Sequence, residues 1–331
     1  MMSDWEPSAS IETLRARAQL LARVRSFFAE RDVLEVETPM LGQGGSTDVH
    51  LASLSAEART PAGRQRLWLQ TSPEFHMKRL LAAGSGAIFQ LAKSFRDGEV
   101  GGRHNIEFTM LEWYRPGFSL TALMDETAAL IHAILPPSVL SKPQGAPKRY
   151  AYRELFHTHL DVDPFTTSLA RLRRLAAERG FMPAHALDDE PRDTCLDLLM
   201  SMVIEPTLGQ GELSAVVDYP ASQAALARRH RDRHGDWVAS RFELYLNGVE
   251  LANGYDELID PAEQRARFEA DNAERREVGF NEVDVDTRLV AALEHGLPEG
   301  SGVALGIDRL IQLALGKPRL SDVISFDTTR C

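Results

Sequence analysis

Arg96, Arg103 and His104 flank a glycine-rich turn, and the run that follows carries Phe108, Glu112 and Tyr114 at even spacing. Alternation places Ile106, Phe108, Met110, Glu112 and Tyr114 on one strand face and Glu107, Thr109, Leu111 and Trp113 on the other. A cationic loop leading to an aromatic plate and a carboxylate suits a nucleotide triphosphate lying beside an amine-bearing molecule. Taken alone, the stretch reads almost as well as a solvated loop entering a core strand. It gains specificity from two later segments, residues 241–258 (RFELYLNGVELANGYDEL) and 302–309 (GVALGIDR).

Other chemistries are poorly supported. Gly316-Lys317 lacks the preceding glycine and following hydroxyl of a P-loop, so a nucleotide needs a different cradle. Cys195 and Cys331, the only two cysteines, have neither disulfide-framework nor zinc spacing. A net charge of −11 argues against a broad phosphate-tracking surface. The basic run at residues 228–234 (RRHRDRH) reads as a solvated loop or helix face.

The phrases RHNIEFTMLEWY, ELANGYDEL and GVALGIDRL resemble the active-site signatures of class II aminoacyl-tRNA synthetases of the lysyl branch. TSPEFHMKRL (residues 71–80) and GVALGIDR resemble those of its shorter paralogues, the elongation factor P lysine ligases. The resemblance runs from about residue 8 to the C-terminus and is weakest over residues 141–211. It implies ATP and Mg²⁺ as cofactors, with Arg96 and Arg309 as the catalytic cations. Arg96 would hold the α-phosphate, and Arg309 the phosphate tail or the opposite adenine face. His104 and Asn105 would lie near the phosphates and Phe108 would stack on adenine. Asp97, Gly98, Leu251 and Gly306 complete the implied ATP site, and Glu250 with Glu257 would bracket the metal. Ser72, Pro73, Glu74, Glu112, Tyr114, Asn253, Tyr255, Glu257 and Ala304 would surround a lysine-like ligand. The chain departs from the synthetase motif at Gly98, where a glutamate is usual, so Glu99 or a backbone group must replace that contact.

The implied reaction is attack of an amino-acid carboxylate on the α-phosphorus of ATP, followed by transfer to an acceptor, with no covalent enzyme intermediate. Ser72 and Ala304 stand where lysyl-tRNA synthetases usually have Ala and Gly. The Ala304 methyl would crowd an α-amino group, whereas a β-amino group could use the Ser72 hydroxyl, which favours (R)-β-lysine. With the first class II helix starting near residue 11, no N-terminal anticodon-binding domain is expected. That argues against a tRNA recognised in the usual way, and the resemblance to the shorter paralogues implies the ε-amino group of a lysine on elongation factor P as the acceptor. A truncated synthetase charging tRNA, and a catalytically silent paralogue that senses amino acids or binds partners, are the competing readings.

These residues need elements to position them. Residues 11–30 carry apolar positions at helical spacing behind Ser10 as N-cap, followed by a strand over 33–37 and then Pro39. By the resemblance this unit faces a second copy, giving a homodimer. A strand over 67–71, a helix over 73–83, a hairpin of 88–95 with 106–114 and a helix over 120–135 come next. Residues 141–149 read as a connector, and 150–211 as a small helical insertion with helices over 167–179 and 193–204. Strands over 214–219 and 241–246, an Asn247-Gly248 hairpin turn, a helix over 261–278 and a final strand (303–307) and helix (308–315) complete the reading. The fold class is α+β (mixed α/β), a class II synthetase-like antiparallel sheet flanked by helices, in one domain of 331 residues. No apolar run of membrane-spanning length and no signal segment occur, so a cytoplasmic location is expected.

Overall fold

The computed structural model describes residues 5–140, 145–181 and 190–331. Residues 141–144 of the expected connector and 182–189 of the expected insertion lie outside the described residues.

Ser10 caps α1 (Ile11–Ala29), its hydroxyl accepting from the Thr13 amide at 3.1 Å. Next come β1 (Leu34–Glu35), β2 (Leu41–Gly42), β3 (Ser55–Thr60) and β4 (Gly63–Leu69). Strand β1 is shorter than expected, and β3 carried no alternation strong enough to predict it. Helix α2 (Glu74–Ala82), β5 (Ile88–Phe95), β6 (Glu107–Pro116) and α3 (Leu120–Ile134) follow close to their predicted places. Strand β7 (Lys148–Ala151) takes the end of the expected connector. Helices α4 (Tyr152–Leu160), α5 (Leu169–Glu178) and α6 (Arg192–Leu199) come next, α6 running on through a π turn at Met200–Ile204 and a 3₁₀ turn at Glu205–Thr207. The chain ends with β8 (Ser214–Pro220), β9 (Arg229–Arg231), β10 (Trp237–Leu246), β11 (Val249–Asp256), α7 (Pro261–Glu277), α8 (Thr287–His295), β12 (Gly300–Gly306) and α9 (Ile307–Ala314). The basic run is thus neither helix nor plain loop: its first part is β9, an exposed strand hydrogen-bonded to β10.

The main sheet runs β1-β5-β6-β12-β11-β10-β8-β7, with β9 added on β10. Its central pairings are antiparallel, as expected, while β1–β5 and β7–β8 at the two edges are parallel. One face packs on α1, α3 and α9 around Phe28, Leu111, Trp113, Leu244 and Leu305, all fully buried. The other face is free of that core and becomes the wall of a cavity.

Asp308 of α9 ties helix α1 to strand β6. Its carboxylate lies 2.6 Å from Arg17 of α1 and accepts from the Thr109 amide of β6 at 2.7 Å. Replacing Asp308 with alanine leaves the Arg17 charge in a largely buried place. The expected loss is about 3–5 kcal/mol of unfolding free energy, measured by urea denaturation. A loss under about 1 kcal/mol, the range of an exposed pair, would show the tie to be superficial.

Candidate active site

The register of the central strands lines up the candidate residues before any side chain is considered. Glu243, Asn253, Ala304, Glu112 and Gln90 are successive partners along one rung, and Arg241, Tyr255, Gly302, Tyr114 and Ile88 along the next. Members of a rung share a sheet face. As the alternation predicted, Phe108, Met110, Glu112 and Tyr114 line a cavity of about 960 Å³ while Leu111 and Trp113 enter the core.

Strand β11 needs one more device. Asn253, Tyr255 and Glu257 are odd-numbered and Glu250 is even, so a regular strand would turn Glu250 to the opposite face. The Asn247-Gly248 turn, with φ of 51° and 69°, pairs Leu246 with Val249 and Tyr245 with Glu250. The register then slips at Leu251, so that Leu244 pairs with Ala252. This β-bulge sends Leu251 into the core and leaves Glu250 on the cavity face with Asn253 and Tyr255. Leu251 is thus both part of the core and part of the cavity lining.

At one end lies a ring of polar side chains, linked by hydrogen bonds and ion pairs except across Gly302. The Glu74 amide donates to Ser72 Oγ at 3.1 Å, and Ser72 Oγ donates to Glu112 Oε2 at 2.6 Å. Tyr114 donates to Glu112 Oε1 at 2.5 Å. Glu257 follows across Gly302, where an added Cβ would stand 2.4 Å from both Glu257 Oε1 and the Tyr114 ring. Only glycine permits that approach. Lys78 closes the ring, its Nζ 2.6 Å from Glu257 and 2.5 Å from Glu74.

Burial, reinforced by the Glu74 charge, pushes the Glu112 carboxyl up to about 8, against the hydrogen bonds from Ser72 and Tyr114. Between its ordinary 4.5 and about 8, the folded chain keeps a Glu112 proton that the unfolded chain has lost. Stability is therefore expected to fall as pH rises through that window and to gain no slope from Glu112 below it. Glu112→Gln should flatten the profile of urea midpoint against pH between 5 and 8, and an unchanged slope would refute the assignment.

The other end is cationic. Arg309 reaches the Glu250 carbonyl at 3.0 Å, the Glu250 carboxylate at 3.4 Å and His104 Nε2 at 2.7 Å. Burial and then Arg309 hold His104 below its ordinary value, so it stays neutral at pH 7. The Arg96 guanidinium lies 5.2 Å from the Phe108 ring centre and 3.5 Å from Glu99, and its buried Nε has no partner. A flat cation against an aromatic plate leaves room for a planar ring system and a phosphate chain.

The structure redistributes several expected residues. Asp97, Gly98 and Pro73 do not line the cavity. Gly98 has φ of 76°, which strains any side chain, and Glu99 is the carboxylate that faces the cavity beside Arg96. Pro73 serves as the N-cap of α2. Asn105 is a clasp: its amide donates to the Glu107 carbonyl and its oxygen accepts from the amide and hydroxyl of Thr328. Gly306 and Ala304 stay on the wall.

The expected metal pair is not brought together. Glu250 and Glu257 are separated by about 20 Å of extended strand, and Glu257 is engaged by Lys78. Glu243 of β10 is the carboxylate beside Glu250, one rung away on the same face, and it is the largest charge raising the Glu250 carboxyl after burial. Arg241, Tyr219 and Tyr245 all donate to Glu243. Glu205, pushed up to about 7 by burial and then by Glu243 and Glu250, borders the same region. Among the described residues no group of three or more metal-binding side chains converges on one point. Two neighbouring carboxylates on a cavity wall beside arginines fit Mg²⁺, which takes most of its ligands from phosphate and water.

Sequence reasoning passed over Arg241, Glu243 and Lys78. The first two stand at period two in RFELYL, and Lys78 is one helical turn from Glu74, so the spacing was present in both cases. A second concavity of about 1050 Å³, lined by Thr38, Gln65, His76 and Arg288, contains none of the predicted residues.

A long sheet-walled cavity with carboxylates at one end and arginines at the other agrees with the family comparison. The model for class II tRNA synthetases (D, K and N) matches residues 2–330, and the chain belongs to that family. Within it, the curated relatives are narrower in kind. The chain is 52% identical over 330 residues to the elongation factor P–(R)-β-lysine ligase of Vibrio cholerae serotype O1, covering 99% of both chains. It is 51% identical to that of Pseudoalteromonas translucida, with 98% of each covered, and 47% identical to that of Haemophilus influenzae PittGG, again with 98% of each covered.

Proposed function

We propose that the protein activates (R)-β-lysine with ATP as an aminoacyl-adenylate and transfers it to the ε-amino group of a lysine on elongation factor P. The observation that carries this reading is the ring of Ser72, Glu74, Glu112, Tyr114 and Glu257 on the same continuous wall as Arg96, Phe108 and Arg309. An adenylate joins an amino acid to AMP through one bond, so both halves must be held side by side.

In this reading the ammonium groups enter the carboxylate ring and the substrate carboxylate points toward Arg96. The carboxylate attacks the α-phosphorus, Arg96 and Arg309 stabilise the charge that develops, and pyrophosphate leaves. The acceptor amine then attacks the acyl carbon and AMP departs. Mg²⁺, when bound, neutralises phosphate charge, and Glu243 and Glu250 are the residues that would hold it. An entering ammonium stabilises ionised Glu112, so binding near pH 7 releases a proton, visible as a dependence of binding heat on buffer ionisation.

The chain is read as one catalytic domain with a helical insertion over residues 150–211, acting in the cytoplasm as a homodimer. Support for the dimer comes from Leu34, Met40 and Leu41, large apolar side chains exposed near the β1 edge. Among the described residues no helix is long and apolar enough to cross a membrane.

The deciding experiment supplies ATP, Mg²⁺ and each lysine isomer together with elongation factor P or tRNA, and weighs both acceptors by mass spectrometry. A mass gain on elongation factor P with (R)-β-lysine is expected. Charged tRNA with unmodified protein would replace this reading, as would more efficient adenylation of L-α-lysine for the choice of isomer.

A further inference from the structure

Lys78 belongs to none of the expected contacts, yet it is 1% exposed and sits inside the amino-acid end of the cavity wall. Its Nζ is 2.5 Å from Glu74 of its own helix and 2.6 Å from Glu257, which stands just past the end of β11. Both partners are themselves largely buried. We propose that Lys78 is a positioning residue that bridges Glu74 and Glu257 and sets the net charge the pocket presents to a diamino ligand.

The argument is electrostatic. Two carboxylates brought together from α2 and β11 repel, and without a cation one of them must turn away or take up a proton. Lys78 offsets that repulsion and holds both in their places, although burial still pushes Glu257 up to about 7, so two carboxylates and one ammonium present a net charge no more negative than −1. Glu257 Oε1 then projects past Gly302 toward Tyr114, the side from which a ligand ammonium can reach it. Removing Lys78 alone leaves two largely buried carboxylates without their cation, so loss of the bridge also costs stability, which apolar packing at that place can partly offset. Met77 and Leu81 beside Lys78 in the helix belong to such an apolar cluster, so a methionine at position 78 has a ready environment. What methionine cannot do is hold the two carboxylates. This inference rests on the proposed amino-acid pocket.

The test compares Lys78→Met, Lys78→Arg and Lys78→Met/Glu74→Gln, each first checked for a cooperative thermal transition. Lys78→Met retains side-chain length and loses charge. It should raise the KM for lysine in pyrophosphate exchange on the order of a hundredfold, with a much smaller fall in kcat. Lys78→Arg should retain most of the affinity because it retains the charge. The double variant removes the unpaired repulsion and should recover about tenfold of the lost affinity. Calorimetric binding of L-lysine without ATP repeats the comparison independently of turnover. A folded Lys78→Met with unaltered KM, or a double variant no better than the single one, would overturn the role. Failure of the wild type to bind any diamino acid would instead remove the proposed function itself.

Discussion

Arg96→Ala is expected to slow adenylate formation on the order of 10²–10³-fold, the usual cost of removing one preorganised donor from a developing oxyanion. The guanidinium lines the cavity between Phe108 and Glu99, and its buried Nε is left without a protein partner. A cation on the cavity lining is placed to donate to an anion bound there. Lysine at this position would keep the charge and lose the planar fork, so Arg96→Lys should recover only part of the rate. Because the interaction strengthens as charge develops, kcat should fall more than the KM for ATP rises. Pyrophosphate exchange measures both. A loss under about threefold would remove Arg96 from the reaction.

The second large effect separates Glu243 from Glu257. Glu243→Gln and Glu250→Gln should each raise the Mg²⁺ concentration for half-maximal activity on the order of 10–100-fold. Glu257→Gln should leave the Mg²⁺ requirement nearly unaltered and weaken binding of the amino acid. The reasoning is positional: Glu243 and Glu250 share a face one rung apart, whereas Glu257 is held by Lys78 at the far end of the strand. Magnesium titrations on the three folded variants decide it. If Glu257→Gln alone moved the metal dependence, Glu243 and Glu250 would not be the metal ligands.

Much of this arrangement was legible in the sequence. Ser10 with the α1 apolar stripe, the hairpin of β5 and β6, and Asn247-Gly248 all rest on local rules that tertiary contacts did not override. The cavity face of β6 followed from alternation alone, since one side had to be core. Where expectation failed, the cause was long-range. The slip at Leu251 brings Glu250 to the face that Glu257 shares, yet about 20 Å of strand still lies between them, and Glu243 of the neighbouring strand stands nearer to Glu250. Asn105 does line the cavity, but its hydrogen bonds to Thr328, a partner 223 residues away, are invisible in the sequence. Lys78 lay within a quoted motif, but its role depends on Glu257, supplied by a distant strand. Strands β3 and β9 are largely exposed and lack the apolar alternation that marks a half-buried strand.

The bulge in β11 has a further meaning. A tight turn sets the rhythm of the residues nearest to it, and the rest of the sheet sets the rhythm of those beyond; on this strand the two are out of step by one. Leu251 absorbs the difference, acting as a phase shifter between the proposed nucleotide half and the proposed amino-acid half of one wall. Its side chain is replaceable by any apolar residue of similar size, but its place in the count is not. A chain shortened by that one residue could keep either half facing the cavity, and would recognise ATP or the amino acid without joining them.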